Sequence, residues 1–283
     1  MDYQTLFYWG VSPANLPAPL GSGPDYCGPH QEEALARLHY AVESGIRCVR
    51  VQGASGVGKS RLLSRFSREL EATGPRTAVV AVANREPQEL LFDLNVALGW
   101  SPENDHNLTT LWRHLVDRIT GLQYAGSSVV LIFDQFEAAT TETIRLFTRL
   151  ARLEVDRSTL ILAQTESSTS SFSPAALSGI KDLIDLNARL PALALDEIES
   201  FLAACWPRER PTPLIRVNAL ERFHELTSGN PRRIQRLMSV CLVAGRTLGV
   251  GEIDADLLES VAEEMWGSSP IVETAARPQA RAA

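Results

Sequence analysis

The sequence predicts an α/β fold, a parallel sheet sandwiched by helices, with a separate all-helical domain toward its C-terminal end. Three observations carry that prediction. Short apolar runs alternate with amphipathic stretches through the first two thirds of the chain. The first of those runs breaks into a glycine-rich turn that opens a helix. After Pro191 the strand pattern stops and only helical periodicity remains.

The elements follow in order. Residues 1–30 are rich in Pro and Gly and predict an irregular arm that packs Phe7, Tyr8 and Trp9 onto the body. The α/β domain is expected over 31–191. It opens with a helix over 31–44, where Ala34, Leu35, Leu38, Ala41 and Val42 share one face. "CVRVQG" is a short buried strand, and "KSRLLSRFSRELEATG" is a helix stopped by Gly74. "RTAVVAVA" is a second strand, followed by helices in "PQELLFDLNVALGW" and "LTTLWRHLVDRITGL", the first with Pro87 near its start. "VVLIFD" is a third strand, "ETIRLFTRLARLE" a helix, and "STLILAQ", ending at Gln164, a fourth strand. A last short strand is expected within "LIDLNARLPAL". The serine-rich run "TESSTSSFSP" reads as an exposed mobile loop beside the crevice at the strand ends. The helical domain covers 192–266, with helices in "DEIESFLAACW", "VNALERFHELTS", "PRRIQRLMSVCLVAGRTLG" and "DADLLESVAEEMW"; a disordered tail is expected over 267–283.

Composition narrows the function. A chain of 283 residues with 45% hydrophobic and 22% charged content can bury a full core. Its net charge of -7 argues against a protein whose main task is coating nucleic acid or anionic membrane. Cys27, Cys48, Cys205 and Cys241 form no CxxC pair, so reduced thiols and a cytoplasmic location are expected. No run approaches 18 apolar residues, so attachment to a membrane would need a partner.

"GASGVGKS" carries the chemistry. It matches GxxxxGK[ST] in full and lies between an expected strand and an expected helix, as a phosphate-binding loop requires. The candidate phosphate ligands are Gly53, Ala54, Ser55, Gly56, Val57, Gly58, Lys59 and Ser60, with Arg61 next in the helix. Glycines let successive N–H groups point at phosphate oxygens, Lys59 reaches the β and γ phosphates, and Ser60 ligates Mg2+. Asp134, at the end of "VVLIFD", is the second Mg2+ candidate. ATP and Mg2+ are therefore the expected ligands.

The residues beyond Asp134 leave hydrolysis open. Gln135 cannot take a proton, although a glutamine can orient an attacking water. Glu137 is either the base or a solvated loop carboxylate. Gln164 either senses the γ phosphate or satisfies loop backbone. In "TSGNPRRIQRL", Arg232 and Arg233 sit at a helix start, where the dipole disfavours cations, so a nucleotide phosphate or a surface salt bridge draws them there.

Taken together, "FYWGVSP", "VQGASGVGKSRLL", "FDQFE", "LILAQTE", "LPALALDEIESFL" and "FHELTSGNPRRIQRL" resemble the AAA+ ATPases of the ExeA type, the general secretion pathway protein A family, up to about Trp266. The resemblance implies an AAA+ core with a helical lid, Gln164 as first sensor and Arg232 as second. It also implies ATP-dependent assembly of a homo-oligomeric ring or filament. The paired phosphate and Mg2+ motifs lead to the preferred expectation, an ATPase with slow, partner-stimulated hydrolysis and an unidentified protein partner, at a membrane or elsewhere. The family pattern has Asp-Glu where this chain has Asp134-Gln135, and "DQFE" is similar instead to the signal-transducing STAND-type NTPases. Lys181 and Arg189 lie where an intersubunit arginine is sought, in no clear motif. The transmembrane and peptidoglycan-binding parts of the secretion proteins have no counterpart here, so a direct role in secretion is not expected. Two alternatives stand beside the ATPase. One is a nucleotide-dependent switch or scaffold with incidental turnover. The other is a DNA-associated ATPase of the transposition type, since seven arginines face three glutamates from Trp206 to Arg236.

Overall fold

Five strands build the sheet: β1 (Cys48–Gly53), β2 (Arg76–Ala81), β3 (Val129–Asp134), β4 (Ser158–Thr165) and β5 (Leu186–Arg189). They lie in the order β2-β3-β4-β1-β5, and every pairing is parallel. The computed structural model describes residues 3–11, 26–101, 107–153, 155–166, 179–207 and 214–267. The serine-rich run after Glu166 and the tail beyond Gly267 lie outside the described residues, as do 12–25 of the N-terminal arm. The chain divides into two units, one of Pro17–Leu193 and one of Met1–Leu16 with Ala194–Ala283.

In the first unit, β3 and β4 are central and buried on both faces, which is why they read as continuous apolar runs. Alternation along each strand feeds two cores. Leu131, Phe133, Leu160 and Leu162 face one side, packed with residues of α4 (Pro87–Ala97), α5 (Leu108–Tyr124) and α6 (Thr141–Ala151). Val49, Val51, Val130, Ile132, Ile161 and Ala163 face the other, against α2 (Pro29–Glu43) and α3 (Lys59–Thr73). At the N-terminal end of the sheet, the Arg47 guanidinium donates to the carbonyls of Leu150 (2.6 Å), Ala151 (3.1 Å), Val155 (3.2 Å) and Ser158 (3.1 Å). It thereby caps α6 and fixes the entry into β4, satisfying carbonyls that the helix end leaves over. All four cysteines are free, and three of them are buried.

The second unit is helical: α1 (Tyr3–Trp9), α7 (Leu195–Cys205), α8 (Leu220–Thr227), α9 (Pro231–Leu248) and α10 (Ala255–Trp266). Here the structure corrects one expectation. Residues 3–9 are helical, and they belong to this unit and not to the α/β body. The Trp9 indole donates to Leu242 O (2.7 Å), the Tyr8 hydroxyl donates to Val250 O (2.9 Å), and Arg246 donates to Thr5 Oγ1 (3.1 Å). Gly245 makes room, since a Cβ there would lie 2.7 Å from the Trp9 ring. Helical spacing puts Leu6 and Trp9 inward and leaves Phe7 outside, 88% exposed, so only part of the expected aromatic arm packs. No helix of the described residues is long and apolar enough to cross a membrane.

Candidate functional site

The loop between β1 and α3 is shaped by three glycines and one apolar anchor. Gly56 and Gly58 sit at φ 87° and 105°, a left-handed region that strains any residue with a Cβ. Gly53 is needed for a different reason. A Cβ there would stand 2.2 Å from Leu190 O, where the chain leaving β5 still pairs with β1 through Leu190 N to Gln52 O (2.8 Å). Val57, 2% exposed, pins the loop into the core on the α2/α3 side. The curled loop hands over to α3 with Gly58 at the cap position, which has no side chain to cap the first N–H groups.

Lys59 is the first residue of α3 and is 8% exposed. A buried ammonium must be hydrogen-bonded. It donates to Gly53 O (2.9 Å), Ala54 O (3.1 Å) and Thr165 Oγ1 (3.3 Å). Ser60 follows, exposed, and Arg61 is half-buried.

Sheet order brings the second half of the site alongside. With β4 between β1 and β3, the tips of all three strands are neighbours. Asp134 ends β3 half-buried, and its Oδ1 accepts the N–H of Gln135 (2.8 Å). Gln135 then adopts φ 56°, ψ 39°, a left-handed turn that breaks the strand, and its side chain is exposed. Phe136 dives into the core, edge-on to Phe133 and Phe147 with ring centroids 6.5 and 5.1 Å away. That anchor sends Glu137 back toward β4. Its Oε1 accepts the Thr165 hydroxyl (2.7 Å) and its Oε2 accepts the Thr165 N–H (3.3 Å).

Thr165 is the residue that sequence reasoning missed. It is buried, it lies opposite Gly53 in the β1–β4 register, and it bonds both Lys59 and Glu137. Its signal was present. Alternation along β4 puts Thr165 on the face of Ile161 and Ala163, with α3, whereas Gln164 falls on the face of Leu160 and Leu162. Gln164 is 4% exposed and pairs in register with Gln52.

At the rim, Arg189 of β5 bonds Glu166 at 3.2 Å, both exposed, a pair worth little by itself. Lys181 is exposed and is not gathered into this cluster. Arg232 belongs to the helical unit. There the Asn230 side chain caps α9 by accepting from the N–H groups of Arg232 (3.1 Å) and Arg233 (3.4 Å), and the Arg233 guanidinium lies 6.0 Å from the Trp266 ring.

The residues present fit a nucleotide's phosphates. The two left-handed glycines turn the loop around the start of α3, a buried ammonium sits at its floor, and a hydroxyl and a carboxylate stand on neighbouring elements as the hard oxygen donors that Mg2+ takes.

Residues 42–172 match the family model of the AAA domain. No protein of curated function matches the chain significantly. Among solved structures the fold is similar to that of the Aeropyrum pernix ORC2 protein in its ADPNP–ADP complexes, at 18% identity and a TM-score of 0.61, covering 93% of this chain and 72% of that one. Cdc6p from Pyrobaculum aerophilum is similar at 15% identity and a TM-score of 0.65, over 93% of this chain and 71% of that one. The Aeropyrum pernix ORC1 protein, in complex with DNA, is similar at 16% identity and a TM-score of 0.62, over 87% and 68%. The fold is therefore that of an AAA+ P-loop unit with C-terminal helices, and the AAA domain match supports nucleotide binding.

Proposed function

We propose that this protein is an Mg-ATP-binding AAA+ ATPase of the ExeA type, in which binding and slow, partner-stimulated hydrolysis drive assembly or a conformational change. The observation that carries this reading is the buried Lys59 bonded to the glycine loop, with Asp134 at the end of β3 and Glu137 in the turn that follows it. Gly53 to Gly58 offer backbone N–H groups to the phosphates, Lys59 takes β and γ oxygens, and Arg61 flanks the loop. Ser60 and Asp134 would hold Mg2+, which when bound would shield phosphate charge.

Hydrolysis needs a proton acceptor, and Glu137 is the carboxylate that Thr165 links to the loop lysine. In this reading a Glu137 oxygen takes the proton of the attacking water while the Gln135 amide orients that water. Gln164 reads the γ phosphate from the β4 tip and Arg232 reports occupancy from the helical unit. The test is phosphate release, measured with tight-binding controls. Lys59→Ala should weaken ATP binding by at least about 100-fold, since it removes charge-assisted bonds to phosphate. Glu137→Gln should keep ATP affinity and lower phosphate release about 100-fold or more. Undiminished release in Glu137→Gln would remove the base, and unchanged affinity in Lys59→Ala would remove the nucleotide site.

One observation favours the switch reading instead: both Glu137 oxygens are occupied by Thr165. A wild type that binds ATP without turnover would establish it. For the DNA-associated alternative, Arg216 and Arg222, among the described arginines of that run, are already matched by acid, Arg216 with Glu252 and Asp254, and Arg222 with Glu225 and Glu259. An ATP-dependent, salt-sensitive DNA shift would restore it. Assembly is tested by molecular mass in solution with and without ATP.

A further inference from the structure

We infer that α6 and α10 form a contact between copies of this chain, in which Arg145, Arg149 and Arg152 of one copy lie antiparallel against Glu263, Glu259 and Asp256 of the next. The inference names the surface for the assembly proposed above and rests on that reading.

The three arginines form one exposed stripe. Intervals of four and then three residues put them on the face of α6 away from the buried Ile144, Phe147 and Leu150, with Arg152 at the C-cap. Arg37, Arg65, Arg85 and Arg189 of the same unit each pair with a carboxylate. Arg145, Arg149 and Arg152 have no carboxylate within ion-pair distance among the described residues. The stripe is thus an uncompensated cationic line on a chain whose net charge is -7. Its middle member is already ordered, because the Arg149 guanidinium stands over the Trp112 ring, 3.8 Å from the centroid. A guanidinium held on a ring still has N–H donors for a carboxylate, and it has less side-chain freedom left to lose.

The complement lies on α10. Asp256, Glu259 and Glu263 are exposed and follow at intervals of three and then four residues, the arginine spacing in reverse. At a rise of about 1.5 Å per residue, two antiparallel helices in this register bring each arginine opposite one acid over about 10 Å. Glu142 then falls opposite Trp266, so no acid meets acid. Glu86, Glu89 and Asp93 repeat the same interval but are committed locally: Glu89 accepts the Glu86 N–H (2.9 Å) and Asp93 pairs with Arg85 (3.1 Å). Of the three α10 acids only Glu259 has an ion-pair partner among the described residues, Arg222 at 2.6 Å, and a carboxylate has acceptor sites for a second guanidinium. The two faces differ, so each copy still offers its own α10 to a further copy, and the contact repeats into a ring or a filament.

Exposed ion pairs are individually weak and screened by salt, so this contact depends on its register and on ionic strength. Arg145→Glu with Arg152→Glu reverses α6 and leaves Arg149 on Trp112. Asp256→Arg with Glu263→Arg reverses α10 and leaves Glu259 on Arg222. Each double variant alone should associate at least about tenfold more weakly than the wild type. An equimolar mixture of the two should regain assembly, because reversed α6 meets reversed α10 and the unaltered faces meet each other.

The experiment is sedimentation of the full chain with ADPNP and Mg2+ at low and high salt, for wild type, each double variant and their mixture, with thermal unfolding of each. Salt-sensitive assembly of the wild type, lost in each variant and recovered on mixing, supports the contact. Variants that assemble as the wild type does, or a mixture that stays dispersed, overturn it. If a reversed variant does not fold, Arg145→Gln with Arg152→Gln decides, and undiminished association there overturns the contact as well. A wild type that stays a single copy under all these conditions overturns the assembly reading and the contact with it. Unaltered assembly together with a DNA shift that the α6 reversal abolishes would assign the stripe to nucleic acid and overturn the contact alone.

Discussion

Two helices in this protein begin just after a glycine turn, and they treat their first N–H groups in opposite ways. α3 follows Gly58 at φ 105° with no side-chain cap, whereas α9 follows Gly229 and Asn230, whose side chain accepts from the N–H groups of both Arg232 and Arg233. A helix start is an anion site only while its donors are not claimed from within. The α3 start keeps that capacity. The α9 start has given part of it to its own cap, so any anion that Arg232 meets is met by the side chain and not by the helix end. The difference separates two cations proposed to meet phosphate: Lys59 stands at a helix start with no side-chain cap, and Arg232 at one whose cap holds its N–H groups.

Three substitutions sharpen that contrast, in falling order of their cost to stability. Gly53→Ala places a Cβ 2.2 Å from Leu190 O, a backbone atom that cannot swing aside, so β1 and the chain after β5 must part. A loss of about 3 kcal/mol in denaturant unfolding is expected, together with loss of nucleotide binding. Asn230→Ala removes the cap of α9 and should cost about 1 kcal/mol, with ATP affinity changed by less than about twofold, as measured by chemical denaturation and titration. A large loss of affinity would show that the cap serves the nucleotide and would erase the distinction between the two helix starts. Arg232→Ala removes an exposed side chain and should shift stability by no more than about 0.5 kcal/mol. Its effect belongs to turnover, where phosphate release should fall by at least about tenfold if the guanidinium meets phosphate charge in the transition state. Unaltered turnover would return Arg232 to a surface role.

What was legible in the chain was legible for local reasons. The strands β3 and β4 announce themselves because both of their faces are buried, β1 because Cys48, Val49 and Val51 are, and the glycine loop because all its parts lie within Gly53–Ser60. Less legible were features that exist only through a distant partner. The first residues read as irregular among prolines and glycines, and a seven-residue helix is not stable by itself. It forms because Trp9 finds the space beside Gly245 and the carbonyl of Leu242. β4 likewise runs one residue beyond the expected Gln164, because Thr165 still has Gly53 to pair with.

The same division holds at the site. The sequence by itself determined the phosphate loop, its lysine and the strand-end Asp134, since each depends on spacing within one strand, one turn and one helix. It also posed the question at Gln135, which has the wrong chemistry for a base. Only the tertiary structure decided where Glu137 goes. Burial of Phe136 against Phe133 and Phe147 turns the chain, and parallel order sets the tip of β4 between those of β3 and β1. Glu137 thereby meets Thr165, and Thr165 meets Lys59, three residues that no local pattern relates. Strand order is set by how two helical layers bury both faces of the sheet, and no window of sequence contains both layers.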